Sequence, residues 1–569
     1  MNRVGWRGSD EGEPIPGRIV TQIERRYGRD GAGVLARLRE AKDARGQLVP
    51  DDVDRVAGEL GLPRAHVNGA ASFYSDLGFA PRGEHNVQVC AGTACFAASA
   101  GVHLGSVSEA LAAPLDGVSE DGEASVQPVY CLGYCYDGPA ALRDEEPYAG
   151  PDLVDQLAGS AERRDPEIPV HVDVAEPVVL AGVVGAAPDA WEVWETVAPS
   201  GDRDRVDREV KESRLRGRGG AGFPATVKWG AASEAPGDGP RYLICNGDEG
   251  DPGSFVDRLL MERDPHRVLE GMALAALATR ATRGVVYVRS EYPRARDSLR
   301  TAVREARAAG QLGSDVHGSG IDFDVEVFEG AGSYVAGEET SLIHSIEGLR
   351  GEVAARPPYP TERGYLHRPT VVNNVETLAA VPWIVARGGA EYARLGVGES
   401  RGTKVVCLNS LFRNPGAYEV ELGTPLRRIF EELGGGLRAG HTVRSIQVGG
   451  PLGGFIGQED LDTPLSFEGL RKLGADLGHG SLIALDERID RDALERHFWR
   501  FAASESCGTC APCRLGTRRG LELAEKGASE PAAGTDEMLT AMERGSLCAF
   551  GRGVPPVVRS IERVYAGRP

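Results

Sequence analysis

The chain has 569 residues, 41% of them hydrophobic and 6% aromatic, with 76 glycines, 35 prolines and a formal net charge of −20. That length exceeds one hydrophobic core and predicts about three to five units. The acidic balance excludes a nucleic-acid partner, which is approached with a basic face, and equally an anionic membrane surface. Met1 to Val20 carry charge and proline but no signal-peptide apolar core. The longest apolar runs, near 178–187 and 271–278, fall far short of the ~20 residues that span a bilayer. The expectation is a cytoplasmic protein with no membrane insertion.

Residues 33–78 read as helices: Pro50-Asp51 opens one, and Val53, Val56 and Leu60 recur at helical spacing. Strand-like runs at Asn86–Val89 and Val126–Tyr130 lead directly into Cys90 and Cys131, with helical sequence between them. This describes a small α/β unit. Residues 160–205, rich in proline, alanine and charge, read as a linker with a little structure.

From about 206 the elements alternate. Val206–Leu215 is helical, Tyr242–Cys245 a strand, Pro265–Thr279 a helix, Gly284–Arg289 a strand, Ala295–Ala309 a helix, Phe323–Phe328 a strand and Glu338–Glu347 a helix start. Such alternation predicts a largely parallel α/β domain. Short β-like runs at Thr403–Leu408, Thr442–Val448 and Ser481–Leu485, with a Leu426–Leu433 helix, predict a compact β-grasp-like unit. The remainder is helical, with Leu494, Phe498 and Phe501 on one face.

Ten cysteines in a chain expected in a reducing compartment make spacing the question. Cys245 and Cys407 stand alone inside apolar runs and read as buried strand thiols. Cys507, Cys510 and Cys513 are each separated by two residues, and Cys548 follows at a distance. Such a triplet wraps three irons of a [4Fe–4S] cubane and the distant cysteine takes the fourth corner. All-cysteine zinc sites instead use two separated pairs. Cys90-x4-Cys95 and Cys131-x3-Cys135 are two such pairs, so [2Fe–2S] and zinc both stand on spacing, although the gaps are wider than a usual zinc knuckle.

Arg216–Pro224 contains G-x-G-x-x-G at Gly217, Gly219 and Gly222. A Rossmann fingerprint must follow a strand, and the preceding segment is charged and helical. The bare N–H groups still suit a phosphate or a flat ring, with Arg218 and Lys228 as positive charge. The acidic turn Asn246–Gly253 follows a strand, where ligands of α/β sheets bind. Gly330–Tyr334 leads to Gly337-Glu338-Glu339, Asn373, Asn374 and Thr377 offer amides and a hydroxyl, and the Arg356–Pro360 stretch presents Tyr359. His344, His367 and His497 read as structural.

Arg216–Trp229, Asn246–Arg258, Gly330–Glu339, Asn373–Thr377 and the Cys507 and Cys548 motifs resemble, in that order, the flavin-bearing NADH-oxidising subunit of respiratory complex I. Residues 33–150, with Ser72-Phe73-Tyr74 and both cysteine pairs, resemble its thioredoxin-like partner, so the two look fused in one chain. The resemblance implies a [2Fe–2S] cluster on Cys90, Cys95, Cys131 and Cys135 and a [4Fe–4S] cluster on Cys507, Cys510, Cys513 and Cys548. It implies FMN held by Gly217, Gly219, Lys228, Asn246, Asp248, Tyr334, Gly337, Glu338, Asn373, Asn374 and Thr377. NAD(H) would lie against Phe223, Glu249, Glu339, Arg356 and Tyr359, with Glu249 positioning the nicotinamide and Glu339 on the adenosine ribose, repelling a 2′-phosphate. No side-chain acid or base is required, because the flavin carries the hydride chemistry. Asp251 stands where the family more often has Glu.

The fold class implied is α/β multidomain. Its expected parts are an N-terminal helical region (1–85), a thioredoxin-like [2Fe–2S] domain (86–160), a linker (161–205), an FMN- and NAD-binding α/β domain (206–400), a β-grasp-like domain (401–487) and a helical [4Fe–4S] domain (488–569). Asn246-Gly247, Gly449–Gly453, Gly478-His479-Gly480 and Gly545–Cys548 look most like the β subunit of soluble, molybdenum- or tungsten-dependent, NAD-linked formate dehydrogenases. The partner would then be a large iron–sulfur, molybdopterin-type catalytic subunit in a hetero-oligomer. The alternatives are the diaphorase subunit of an NAD-reducing hydrogenase or a complex I-type enzyme. A non-catalytic scaffold with two zinc sites is a different class, which visible absorption bleached by reduction excludes.

Overall fold

A computed structural model describes residues 33–186, 190–527 and 534–566. The N-terminal helices are α1 (Val34–Arg45), α2 (Pro50–Leu60) and α3 (Arg64–Ala71). Pro50 sits in the first turn of α2, where its missing N–H costs nothing, and Asp52 accepts the Val49 N–H at 3.0 Å. Val53, Val56 and Ala57 bury one face of α2. The bundle is docked on the central domain. The amides of Ser75 and Asp76 donate to the carbonyls of Gly332 and Ala331, each at 3.1 Å, and the Tyr74 hydroxyl donates to Leu349 O at 2.8 Å.

The next unit holds β1 (His85–Cys90), α4 (Thr93–Ser99), β2 (Gly117–Val118), β3 (Ala124–Val129), β4 (Ala140–Arg143) and β5 (Glu146–Ala149), in sheet order β2-β3-β1-β4-β5. β1 and β3 are parallel, with Cys90 opposite Val129. Both cysteine loops therefore leave the same edge of the sheet.

The segment expected as a linker has a structural role. Residues 170–173 form β6 (Val170–Asp173), parallel to a strand at 417–420 and at the edge of the third sheet. The N–H groups of Val178, Val179 and Leu180 converge on the buried Glu419 carboxylate at 2.9–3.0 Å. Proline, alanine and charge obscure this strand because its partner lies more than 240 residues away.

The central domain contains α5 (Ala225–Glu234), β7 (Tyr242–Gly247), α6 (Val256–Arg263), α7 (Pro265–Thr279), β8 (Arg283–Val288), α8 (Pro293–Ala308), β9 (Asp324–Glu329), α9 (Glu339–Ile346), β10 (Thr370–Asn374) and α10 (Val375–Ala379). Its four strands are all parallel, in the order β10-β7-β8-β9. Register places Asn374 beside Asn246 at the carboxyl ends. The central helix α7 is buried almost throughout, and a Cβ at its Gly271 would fall 2.0 Å from Leu378 O. Only glycine permits that approach.

The β-grasp-like sheet adds β11 (Thr403–Leu408), β12 (Gly416–Glu421), β13 (Val443–Val448), β14 (Phe455–Ile456) and β15 (Ser481–Asp486), in the order β14-β13-β15-β11-β12-β6. The expected Leu426–Leu433 helix is a short π-helical turn at Arg428–Leu433. Cys245 and Cys407 are fully buried in strands. The chain closes with α11 (Arg491–Glu505), α12 (Ala511–Glu525), α13 (Thr535–Gly545) and α14 (Ala549–Tyr565). Among the described residues no helix is long and apolar enough to cross a membrane.

Candidate cofactor sites

Cys90, Cys95, Cys131 and Cys135 are all buried and meet at the edge where β1 and β3 end. The Cys131 and Cys135 sulfurs lie 3.3 Å apart. Gly133 N donates to Cys131 Sγ and Gly253 N to Cys135 Sγ, each at 3.3 Å. Gly133 has φ +73°, which lets the backbone between these cysteines turn its N–H onto the sulfur. Without a metal, the neighbouring Cys131 and burial push the Cys135 thiol well above its ordinary range. Four buried thiols with backbone donors fit a cluster, which takes them as thiolates. Among the described residues no three His, Cys, Asp or Glu side chains are arranged around a single ion. A two-iron cluster spreads its ligands over two centres and asks for no such convergence.

The second set lines one cavity with Val335, Val353 and Phe550. Cys510 and Cys548 are the N-caps of α12 and α14, so both sulfurs sit at helix N-termini. Burial raises the Cys548 pKa, opposed by the N–H groups of Gly551 and Phe550; burial also pushes the Cys513 thiol up to about 12. Gly508 takes φ +79°, which bends the Cys507–Cys510 loop. Cys510 and Cys548 are partly exposed, whereas the N-terminal set is sealed.

Between the two sets lies a crevice at the carboxyl ends of β7 and β10. The glycine loop closes on itself through Gly217 N to Phe223 O at 2.9 Å. Arg218 N donates to Thr377 Oγ1 at 2.8 Å. A Cβ at Gly219 would fall 2.9 Å from Asn374 Cβ, so this backbone packs closer than any side chain allows. Asn373 accepts from Trp229 Nε1 at 2.8 Å, and Asn246 donates to Gly337 O at 2.9 Å. A Cβ at Gly337 would lie 3.2 Å from Asp248 Oδ2. Asp248 is buried, and that Oδ2 has no partner among the described residues. A buried acceptor without a donor suits a ligand hydroxyl, and the bare glycine backbone suits a phosphate or ring. These residues fit FMN.

Glu338 caps α9 through the N–H groups of Thr340 and Ser341 at 2.9 and 3.1 Å. Glu339 pairs with Lys228 at 2.6 Å and with Arg356 at 2.7 Å, and Arg356 also meets Glu338. Phe223 and Tyr359 are about half exposed, at 48% and 52%. Open aromatic faces beside a charged cluster are what a dinucleotide needs to stack and be held.

Two of the charged residues are tied into the fold. Arg218 keeps a buried Nη1 that has no partner among the described residues. Its guanidinium is buried, donating to the Tyr392 hydroxyl at 2.8 Å and Arg401 O at 2.6 Å, and so it anchors the glycine loop. Glu249, expected to position the nicotinamide, turns inward. Its carboxylate accepts from Ser254 Oγ at 2.7 Å and from Asp257 N and Arg258 N, each at 2.9 Å. It holds the start of α6, whose free N–H groups require an acceptor.

The site also contains a histidine that the sequence offers only within a subfamily motif, with no role at the crevice. His479 is buried against Asp251, its Nε2 lies 3.9 Å from Asp257, and Asp251 accepts the Tyr334 hydroxyl at 2.6 Å. Gly478 pairs with Gly220 of the glycine loop, so His479 reaches the crevice from the β-grasp-like domain. The signal was the Gly-His-Gly triplet, whose glycines take φ +51° and +81°. His344 and His497 are structural, the first bonded to Glu352 O and the second stacked on Phe96.

Two thiol tetrads flanking a glycine-lined α/β crevice define an iron–sulfur flavoprotein. Residues 210–383 match the Nuo51 FMN-binding domain, residues 20–155 the thioredoxin-like [2Fe-2S] ferredoxin, and residues 493–567 the NADH-ubiquinone oxidoreductase-F iron-sulfur binding region. The chain is 41% identical over 362 residues to the HndC component of the NADP-reducing hydrogenase of Solidesulfovibrio fructosivorans, covering 63% of this chain and 74% of that one. It is 42% identical over 331 residues to the NuoF-type chain of the NADH-quinone oxidoreductase of Escherichia coli, covering 58% and 74%. The fold matches a chain of an NAD+-reducing [NiFe]-hydrogenase with a TM-score of 0.83 and 32% identity, over 95% of this chain and 93% of that one. The chain belongs to the complex I NuoF-type FMN-binding flavoproteins, here with a thioredoxin-like domain in the same polypeptide. It is an NADH oxidoreductase subunit whose cofactors are FMN, NAD(H), one [2Fe–2S] and one [4Fe–4S] cluster.

Proposed function

We propose that the chain is the NAD(H)-reactive diaphorase subunit of a hetero-oligomeric hydrogenase. The observation that carries this reading is the likeness to one chain of an NAD+-reducing [NiFe]-hydrogenase along nearly the whole length of both. Formate dehydrogenase, favoured by Asn246-Gly247 and Gly478-His479-Gly480, becomes the second reading. Molybdenum or tungsten with pterin in the co-purifying large subunit decides for formate, and nickel decides for hydrogen.

The chemistry that bound FMN would supply is hydride exchange with the nicotinamide and one-electron exchange with the clusters. The chain's own part is to bind, orient and seal. Gly217 closes the loop through its own N–H, Gly219 brings side-chain-free backbone close to the FMN phosphate, and Lys228 is the counter-charge. Asn246, Asp248, Asn373, Asn374 and Thr377 supply the polar wall, while Tyr334, Gly337 and Glu338 close the other side. Phe223 and Tyr359 flank NAD(H), and Arg356 and Glu339 hold its polar groups. Glu249 maintains the turn and makes no contact with the nicotinamide in this reading. Cys507, Cys510, Cys513 and Cys548 hold the cluster nearer the surface and form the exit toward the partner. Purified holoprotein should reduce an artificial dye with NADH and lose that activity when FMN is removed. Dye reduction that persists without flavin would overturn the assignment.

A further inference from the structure

Arg289 lies just past the end of β8 and is 4% exposed. Its guanidinium donates to Tyr130 O at 2.7 Å and to Glu249 O at 2.9 Å. The first carbonyl immediately precedes Cys131, and the second belongs to the acidic turn of the flavin crevice. Nε and Nη2 are held by Glu291 at 3.1 and 2.5 Å. The adjacent Ser290 hydroxyl bonds Asp76 of the N-terminal bundle. The two loops also touch directly, through Gly253 N on Cys135 Sγ. Thus one buried cation is bonded to the backbone of both cofactor loops.

We propose that Arg289 is a positioning residue that locks the [2Fe–2S] loop to the flavin turn and raises the reduction potentials of both centres. A guanidinium keeps its charge at any working pH and bonds several acceptors in one plane. In a low-dielectric interior that charge is weakly screened. Cluster potentials follow net charge and hydrogen bonding near the sulfurs, so a fixed cation beside Cys131 favours the reduced state. Glu291 offsets part of this charge, which makes the two residues opposite in sign. The inference rests on Cys131 being a cluster ligand and on the acidic turn facing FMN.

The test uses the full chain in the complex with which it purifies, as Arg289→Met, Arg289→Lys and Glu291→Gln. EPR-monitored titration reads both clusters, and optical titration reads the flavin. The expected result is a lowered potential of [2Fe–2S] and flavin in Arg289→Met, with a smaller shift at [4Fe–4S]. Arg289→Lys should recover most of that loss, and Glu291→Gln should shift [2Fe–2S] the opposite way. Unmoved [2Fe–2S] and flavin potentials in Arg289→Met, or equal shifts of all three centres, would overturn the proposal. Where Arg289→Met fails to retain its cofactors, Glu291→Gln decides, and no upward shift there overturns it. Cys131→Ser checks the underlying reading separately: a [2Fe–2S] signal unchanged in that variant removes the ligand assignment, whatever Arg289 does.

Discussion

Lys228 stands 2.6 Å from Glu339, and both side chains are only partly exposed. The carboxylate that would meet the adenosine ribose is therefore already shared with the lysine assigned to the FMN phosphate. Glu339→Gln removes the negative charge a 2′-phosphate would meet. Like-charge juxtaposition costs a few kcal/mol, and ~1.4 kcal/mol is tenfold. The kcat/KM ratio of NADPH to NADH should rise on the order of ten- to a hundred-fold. An unchanged ratio sinks the ribose role.

Cys510→Ser should remove or severely alter the [4Fe–4S] EPR signal and abolish electron transfer to the partner. Because none of the four cysteines is among the residues assigned to FMN or NAD(H), FMN-dependent dye reduction by NADH should keep most of its rate. Equal loss of both activities would refute the exit assignment.

The buried pair of His479 and Asp251 sets a pH window. Burial disfavours the imidazolium, but Asp251, then Asp257 and Glu249, push His479 from 6.5 to about 9. A group raised on folding contributes fully below its unfolded value and loses that contribution as pH climbs through the folded one. Burial works against Asp251 ionising, yet His479 and the Tyr334 hydroxyl hold it below 3.8. Its contribution is present above that value and is lost on acidification. Thermal stability should fall between pH 6.5 and about 9 in the parent protein. His479→Asn should be less stable at neutral pH and show a flatter alkaline limb. Parallel curves in a Tm-versus-pH series would exclude the pair as their source.

Lys404 and Glu376 form an ion pair with both side chains fully buried, and Glu376 also accepts Val405 N at 3.0 Å. Breaking such a pair from one side strands a charge and costs about 3–5 kcal/mol. Lys404→Met should lower the urea midpoint accordingly, while Lys404→Met with Glu376→Gln should recover part of the loss. A midpoint unaffected by the single change would contradict the pairing.

The elements legible in sequence were those with a local signature. Cys507-x2-Cys510-x2-Cys513 announces its chemistry over seven residues, and the β7–β9 alternation repeats at short range. Charged residues whose partners are distant were not legible. Nothing around Arg218 in the sequence points to Tyr392 and Arg401 O, which its guanidinium bonds. Nothing in the acidic turn shows that the Glu249 carboxylate also holds the start of α6. A buried charge takes its role from what the fold brings to it, and neither spacing nor composition records that.

The edge strand β6 also has a timetable. Val170–Asp173 is complete long before β12, its partner, begins at Gly416. At ~5–20 residues per second, the intervening chain of roughly 240 residues takes on the order of 10–50 seconds to emerge. Throughout that interval an unpaired strand trails the finished thioredoxin-like unit, with its hydrogen-bonding edges open to any other nascent chain. Fusing the two units thus exchanges a docking step between subunits for a wait at the ribosome, and places the aggregation hazard in the very segment that composition marks as inert.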